Sequence, residues 1–406
     1  MKQTKVERRS SLRIFVVGTE FFRSPGGIQY VNRLLARALA DFARGTSARI
    51  ELLAFNDRAA QKLPEYLEPD LVGWHGFNRD RLRMGRGIAR LLYSEKPQLV
   101  LFTHVHLLRL AGLVRWLAPH CRVGLLGHSV EVWDPVPARL RPWVEKADAV
   151  VAPSTFTRQR LIEKNGVRPE RISVLAHGLD PQFCAAIAAV RDTPRTGQTL
   201  LSVTRLVRAH AGKGVQAVLA ALPDVAQKCP AVRYLVAGDG DDRPRLAEMA
   251  RQLGIAHRVE FLGELNEADV GSVYRQADVF VLPSKTEGFG IAFAEAMYAG
   301  LPVVARAIGG ATDVIEHGRT GILLSSDQPG ELAESLIALL GSEEMRQNMG
   351  RAGRRRAQEN FLFQHFSARW QRWLAEVIPE AIYCSRQAAA FARAHLETPA
   401  ITESAA

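Results

Sequence analysis

The chain has 406 residues, of which 47% are hydrophobic and 23% charged, with a net charge of +11. That length exceeds one ordinary core and implies two domains, and the composition is that of a globular chain. The charge is uneven: residues 1–190 hold 29 Lys/Arg against 17 Asp/Glu, and the remainder 24 against 25. The basic half therefore points to an anionic partner surface, or else to a well-solvated face. Four cysteines lie far apart with no Cys-x-x-Cys, which argues against a zinc site and for reduced, cytoplasmic thiols. No apolar run approaches the roughly 18 residues of a spanning helix, and the N-terminus has no apolar signal segment. Any membrane contact is expected to be peripheral, at the inner face of the plasma membrane.

Residues 1–10 read as a frayed tail. Leu12 to Gly18 is a short apolar run with the form of a first buried strand. Ser24-Pro-Gly26-Gly27 then turns the chain into a helix whose apolar positions are Val31, Leu34, Leu35, Ala38 and Leu39. Strand-like runs recur at 50–55, 99–103, 122–126, 149–152 and 172–175, with helical patterns between most of them. The alternation predicts a parallel sheet wrapped by helices. A second series follows at 199–203, 234–237, 259–262, 279–282 and 303–305.

The expected architecture is α/β, with two doubly wound Rossmann-like domains facing across a cleft. The first spans 11–185, a linker 186–197, and the second 198–360. Ligand should bind at the carboxyl ends of the strands. Within 361–378, Phe363, Phe366, Trp370, Trp373, Leu374 and Val377 form one apolar stripe, which predicts a helix crossing back onto the first domain. Residues 385–406 read as a second frayed tail.

The chemistry concentrates near the carboxyl ends of the strands. Glu287 sits on a loop after the strand Val279–Leu282, and Glu295 eight positions on, in a helix opening near Gly290. Carboxylates there can accept hydrogen bonds from sugar hydroxyls while backbone amides face phosphate. Gly26-Gly27 can bring backbone N–H groups close to an anion, or can simply be a tight turn. Arg205 follows the strand Leu200–Thr204, and Lys213 lies in Gly212-Lys-Gly214. Together they would neutralise a diphosphate and stabilise it as a leaving group. His128, in Gly127-His-Ser-Val-Glu131-Val-Trp133, reads as a cleft group that bonds a hydroxyl, or as a structural histidine. Glu131 orients an acceptor or caps the following segment. There is no P-loop, no complete dinucleotide fingerprint, no Gly-x-Ser-x-Gly and no His-Glu-x-x-His.

Together these pieces resemble the retaining glycosyltransferases of family four, which have the GT-B fold and include exopolysaccharide and lipid-linked-glycan enzymes. The resemblance runs from about Leu12 to Trp373. Its most specific motif is Glu287-Gly-Phe-Gly290 followed by Glu295. It implies that Glu287 binds donor-sugar hydroxyls, that Gly288, Phe289 and Gly290 lie along the sugar and β-phosphate, and that Glu295 holds the ribose. Arg205 and Lys213 match the diphosphate clamp, Gly27 the backbone contact from the other domain, and His128 the histidine beside the donor sugar. The family implies no metal and no cofactor other than the nucleotide-diphosphate sugar itself. Two departures stand out: His177-Gly-Leu-Asp180 where most relatives have Asn-Gly-x-Asp, and a long Arg205-to-Lys213 interval holding Arg208 and His210.

The implied reaction is hexosyl transfer, with mannosyl favoured, to a lipid-linked or polysaccharide glycan such as a polyprenyl-diphosphate-linked sugar. Arg79, Arg83, Arg86 and Arg90 fall on one helical face with Met84, Ile88, Leu91 and Leu92 mostly opposite. That pattern suits an anionic membrane surface, or a helix with a solvated face. The alternatives are another GT-B enzyme, such as a nucleotide-sugar epimerase, and a basic nucleic-acid-binding protein. With Tyr93 alone beside the arginines as a stacking surface, nucleic acid is not expected.

Overall fold

A computed structural model of the chain describes residues 12–46, 48–190, 197–265 and 267–378, the side chains of 209–211, 267–268 and 329 excepted. The tails at 1–10 and 385–406, and 191–196 within the expected linker, lie outside the described residues.

Seven parallel strands build the first sheet. They are β1 (Arg13–Gly18), β2 (Arg49–Ala54), β3 (Val72–Gly76), β4 (Leu99–Phe102), β5 (Arg122–Leu126), β6 (Ala149–Ala152) and β7 (Ile172–Val174). Their order is β3-β2-β1-β4-β5-β6-β7. The second sheet holds β8 (Thr199–Val203), β9 (Arg233–Ala237), β10 (Val259–Gly263), β11 (Val279–Leu282), β12 (Val303–Arg306) and β13 (Gly321–Leu324), ordered β10-β9-β8-β11-β12-β13 and also parallel. In each sheet the strand order reverses once, between β1 and β4 and between β8 and β11. A crevice opens at the carboxyl ends of such a pair, because the connections leave toward opposite faces. The central strands are near-continuous apolar runs, as burial on both faces demands. β3 and β13 were not expected from the sequence. Both are edge strands of four or five residues, one with two glycines and a histidine and the other beginning on a glycine, so neither carries the pattern of a buried strand.

The first helix, α1 (Gly27–Gly45), buries Val31, Leu34, Leu35, Ala38 and Leu39 on one face of the first sheet. The helix Phe363–Val377 lies beside α1 and completes the same core with Phe366, Trp370, Trp373 and Leu374, all at most 2% exposed. Burial of each aromatic ring stabilises by roughly 2–3 kcal/mol, which ties the last described helix to the first domain. The other face of the sheet is covered partly by α2 (Arg81–Glu95) and α3 (Ala111–Leu117).

The structure corrects two expectations. The helix Pro181–Ala189 packs on Glu267–Gln276, and Leu179, Phe183 and Ile187 belong to a core of the second domain, so the chain changes domain between Val174 and Leu179 rather than at 185–186. The apolar side chains after His177 decide this, by burying against the second sheet. Arg79 is not on the arginine helix. It has φ 68 in the preceding turn, and Asp80 caps the helix by accepting from the Arg83 amide at 2.9 Å.

Candidate active site

Each sheet's reversal point supplies one wall of a single cleft. After β1 comes Gly26, the N-cap of α1. The cap makes no side-chain hydrogen bond and the first turn has no acidic residue, so the amides of a 19-residue helix are left to meet an anion. After β8 comes Arg205, which is exposed, with no side-chain hydrogen bond or ion pair among the described residues. Its Nη1 lies 3.6 Å from where a Cβ on Gly26 would sit. A free guanidinium of the second domain thus faces the glycine turn of the first.

Lys213 closes a 3-10 turn (Arg208–Lys213) and donates from Nζ to Glu287 Oε1 at 2.5 Å. Arg205 and Lys213 line one pocket with Leu206, Gly214, Gln216 and Asp242. The loop carrying Glu287 is held from several sides. The Lys285 amide donates to the Gly212 carbonyl at 2.7 Å, and the Gly310 amide to the Glu287 carbonyl at 2.8 Å. Gly288 meets the first domain so closely that a Cβ there would lie 1.8 Å from the His128 carbonyl oxygen. Any side chain at 288 would push the domains apart.

His128 is 7% exposed, and its Nε2 lies 2.8 Å from the Thr103 carbonyl oxygen at the end of β4. A carbonyl only accepts, so Nε2 carries the proton and the neutral ring keeps its lone pair on Nδ1. Burial pushes the His128 pKa down, against the opposing pull of Glu131. Nδ1 is therefore an acceptor or base rather than a second donor. Glu131 takes hydrogen bonds from the amides of His128 (2.5 Å) and Ser129 (3.0 Å), so it reaches back to hold the backbone at the start of its own turn instead of reaching toward an acceptor.

Glu295, on the helix Ile291–Tyr298, accepts from the Tyr274 hydroxyl at 2.9 Å through Oε2. Burial raises its pKa to about 7, with a smaller contribution from the Asp180 charge and against the pull of the Tyr274 hydrogen bond. Oε1 has no partner among the described residues and can take a ligand hydroxyl.

The structure therefore gathers Gly27, His128, Arg205, Lys213, Glu287, Gly288, Phe289 and Gly290 around one cleft, with Glu295 one helical turn farther along. The ring of Phe289 itself is buried between His177 and Phe361, at centroid distances of 5.2 and 5.5 Å, so only its backbone can line the site. Arg208 leans toward Asp242 at 3.9 Å.

Sequence reading missed Gly309-Gly310, whose turn packs against the backbone from Glu287 to Phe289. Its signal was a Gly-Gly pair after a strand, the same one that marked Gly26-Gly27. Tyr274, and Thr155 with Asp313, were missed as well. Among the described residues no three His, Cys, Asp or Glu side chains converge as metal ligands.

Comparison with known proteins decides the family. Residues 25–183 match the family described as Glycosyltransferase Family 4, and residues 186–356 match Glycosyl transferases group 1. The chain belongs to glycosyltransferase family four. Over 262 residues, 61% of this chain, it is 30% identical to the GDP-mannose-dependent alpha-(1-6)-phosphatidylinositol monomannoside mannosyltransferase of Mycobacterium tuberculosis, covering 66% of that protein. It is 34% identical over 219 residues to the phosphatidyl-myo-inositol mannosyltransferase of the same organism, covering 53% of this chain and 56% of that one. A glycogen synthase from that organism is 30% identical over 58% of this chain and 54% of its own length. The chain thus spans between 54% and 66% of these relatives. Anabaena HepE in complex with UDP and glucose superposes with a TM-score of 0.71 at 20% identity, covering 90% of this chain and all of that one. Sucrose-phosphate synthase from Thermosynechococcus elongatus gives 0.71 at 19% identity, over 91% of this chain and all of its own. These two share the GT-B fold with this family-four chain.

Proposed function

We propose that this chain transfers a hexosyl group, mannosyl in preference, from a nucleoside-diphosphate sugar to a lipid-linked or polysaccharide glycan, with retention of anomeric configuration. The observation that carries this reading is the meeting of Arg205, the Lys213–Glu287 pair and the uncapped amides of α1 at one cleft. Two cations and a helix N-terminus suit a diphosphate, and a carboxylate beside them suits the hydroxyls of its sugar.

In the reaction the bond from the anomeric carbon to the diphosphate oxygen breaks, and a bond from that carbon to the acceptor oxygen forms. The acceptor's hydroxyl proton passes to the departing diphosphate. Negative charge grows on that leaving group, and Arg205 and Lys213, the latter drawn from Glu287 by the bound diphosphate, stabilise it. The clamp takes the part a divalent ion plays elsewhere, so a chelator should leave the rate unchanged. His128 Nδ1 accepts a hydroxyl of the donor sugar, Glu287 holds others, and Glu295 Oε1 holds the ribose. The mannosyl preference leans on the two mannosyltransferase relatives.

The test is a donor screen by thermal shift across GDP-, UDP- and ADP-sugars, followed by transfer from the stabilising donor to polyprenyl-diphosphate-linked acceptors. Stabilisation by a GDP-sugar supports the reading, since a ligand at 100 times its Kd adds about 2.7 kcal/mol to stability. Product formed from donor alone would instead favour an epimerase, and no shift with any nucleotide sugar would end the proposal.

A further inference from the structure

The outer face of α2 and α3 carries the least expected surface of the chain. Leu82, Tyr93 and Trp116 are 71%, 79% and 78% exposed, far above the next large apolar residue among the described residues, Val130 at 45%. On α2, Met84, Ile88 and Leu92 face the sheet, which turns Leu82, Arg86 and Tyr93, spaced by 4 and 7, directly outward. Arg83 and Arg90 flank that line, and both are exposed. α3 packs beside α2 on the same sheet face, with Ala111 and Val114 buried in the same core and Trp116 turned away from it. None of Arg83, Arg86 and Arg90 has a side-chain ion pair or hydrogen bond among the described residues. The carboxylates at the two ends of α2 are spent: Asp80 caps the helix, and Glu95 pairs with Arg13.

We propose that this face inserts into the interfacial layer of an anionic lipid bilayer, with Leu82, Tyr93 and Trp116 as anchors and Arg83, Arg86 and Arg90 on the headgroups. Charge complementarity selects this occupant: a purely basic helix face suits acidic headgroups, and tyrosine and tryptophan suit the boundary between headgroup and acyl chain. The inserted side chains set this apart from electrostatic adsorption alone, because apolar burial does not weaken with salt as screened charge does. No helix of the described chain is long and apolar enough to cross a membrane, so the contact is interfacial.

The placement bears on the reaction, and this part rests on the proposed lipid-linked acceptor. Leu82 lies at the end of α2 that follows the carboxyl end of β3, the sheet edge that also carries Gly26 and His128. Tyr93 and Trp116 lie at the opposite ends of their helices. A docked helix pair, about 22 Å long for the 15 residues of α2, would therefore run from the cleft rim outward. A lipid-anchored acceptor could then enter the cleft without leaving the bilayer.

The test is vesicle co-sedimentation of the full chain on phosphatidylcholine vesicles with and without phosphatidylglycerol, at low and high salt. Wild type should bind the anionic vesicles and keep a measurable fraction bound in high salt. Leu82→Ala/Tyr93→Ala/Trp116→Ala should bind at least tenfold more weakly and lose all binding in high salt. Arg83→Gln/Arg86→Gln/Arg90→Gln should lose the preference for phosphatidylglycerol. Absence of wild-type binding, or equal binding by the apolar variant, overturns the inference. So does a dimer seen by sedimentation velocity that the apolar variant abolishes, which would assign the face to a second copy. Thermal stabilisation by nucleotide sugar is read in parallel. If it persists while vesicle binding fails, only this inference falls; if it fails in wild type, the transferase reading falls.

Discussion

Lys213 Nζ sits 2.5 Å from Glu287 Oε1, so without a donor the cation of the phosphate clamp is neutralised by the carboxylate that would hold the sugar. Both side chains are largely withdrawn from solvent, at 25% and 16% exposure, so neither is freely screened. In the proposed reaction a diphosphate entering beside Arg205 would compete for Lys213 and release Glu287 toward the sugar hydroxyls. Removal of Glu287 should then cost catalysis but not nucleotide affinity. Glu287→Ala is expected to lower kcat by about 10²–10³-fold, the scale for loss of one preorganised polar group. Binding of the bare nucleoside diphosphate should hold or tighten, because Lys213 is no longer occupied. Glu295→Ala should do the reverse, raising donor KM with a smaller effect on kcat. Steady-state kinetics with calorimetry on the nucleotide separates the two patterns, and full activity in both variants would remove the site.

The carboxyl of Glu295 titrates near 7 instead of at its ordinary 4.5, because burial disfavours its charge. The folded chain therefore holds a proton there that the unfolded chain has lost between about 4.5 and 7. Stability from this group is complete below the lower value and declines as pH rises through the upper one, by about 3 kcal/mol at most. If Glu295 holds the ribose as proposed, donor capture should have the opposite dependence, since an ionised carboxylate is the better acceptor for hydroxyls. A plot of kcat/KM against pH should fall below an apparent pKa near 7. The cleft histidines His128 and His177 do not supply that limb, since burial puts both below their ordinary range. Glu295→Gln should flatten the acid limb, and an unchanged limb in that variant would assign it elsewhere.

The sequence announced the central strands because they are buried on both faces and therefore apolar without interruption. It announced the loops at Gly26 and Glu287 because close backbone approach leaves glycine no substitute. β3 and β13, at the sheet edges, carry no such pattern. Partners distant in sequence were also hidden. Tyr274 meets Glu295 only because two helices converge, and Gly309-Gly310 meets Glu287 only through the order of β11 and β12. The family motif located Glu295 but not the burial that raises its pKa or the Tyr274 hydroxyl that opposes the rise.

Thr155 and Asp313 illustrate the same point across the cleft. Asp313 of the second domain accepts from the Thr155 amide at 2.6 Å and from its hydroxyl at 2.5 Å, at the N-terminus of the helix Thr155–Asn165 in the first domain. The two-point contact closes the rim of the cleft. Because it is exposed, its net worth is about 1 kcal/mol, or roughly fivefold in the closed population. Asp313→Ala should raise donor KM a few-fold, enlarge the radius of gyration by small-angle scattering, and leave the melting temperature within a few degrees. An unchanged radius together with an unchanged KM would mean the clasp does not hold the domains.

His177 stands where the resemblance to family four leads one to expect the asparagine of Asn-Gly-x-Asp. It lies where the chain passes between the domains, with its neighbour Ala176 bound through the carbonyl to Arg369 Nη2 at 3.0 Å, and with the Leu179 amide bound to the Phe361 carbonyl at 2.6 Å. Its ring meets Phe289 of the Glu287 loop edge-on at 5.2 Å and stands 6.3 Å from the His128 ring, so one side chain braces both walls of the cleft. Burial drives its pKa well below the ordinary histidine range, so it acts as a neutral packing group at any physiological pH. An asparagine has neither the reach nor the ring face to keep both contacts. His177→Asn should therefore lower kcat about tenfold through displacement of Phe289 and His128, with donor KM nearly constant and no new limb in the pH profile. His177→Phe restores the ring and should recover much of the rate if packing is the role. If His177→Phe is as slow as His177→Asn, the buried Nδ1 rather than the ring face is what the site uses.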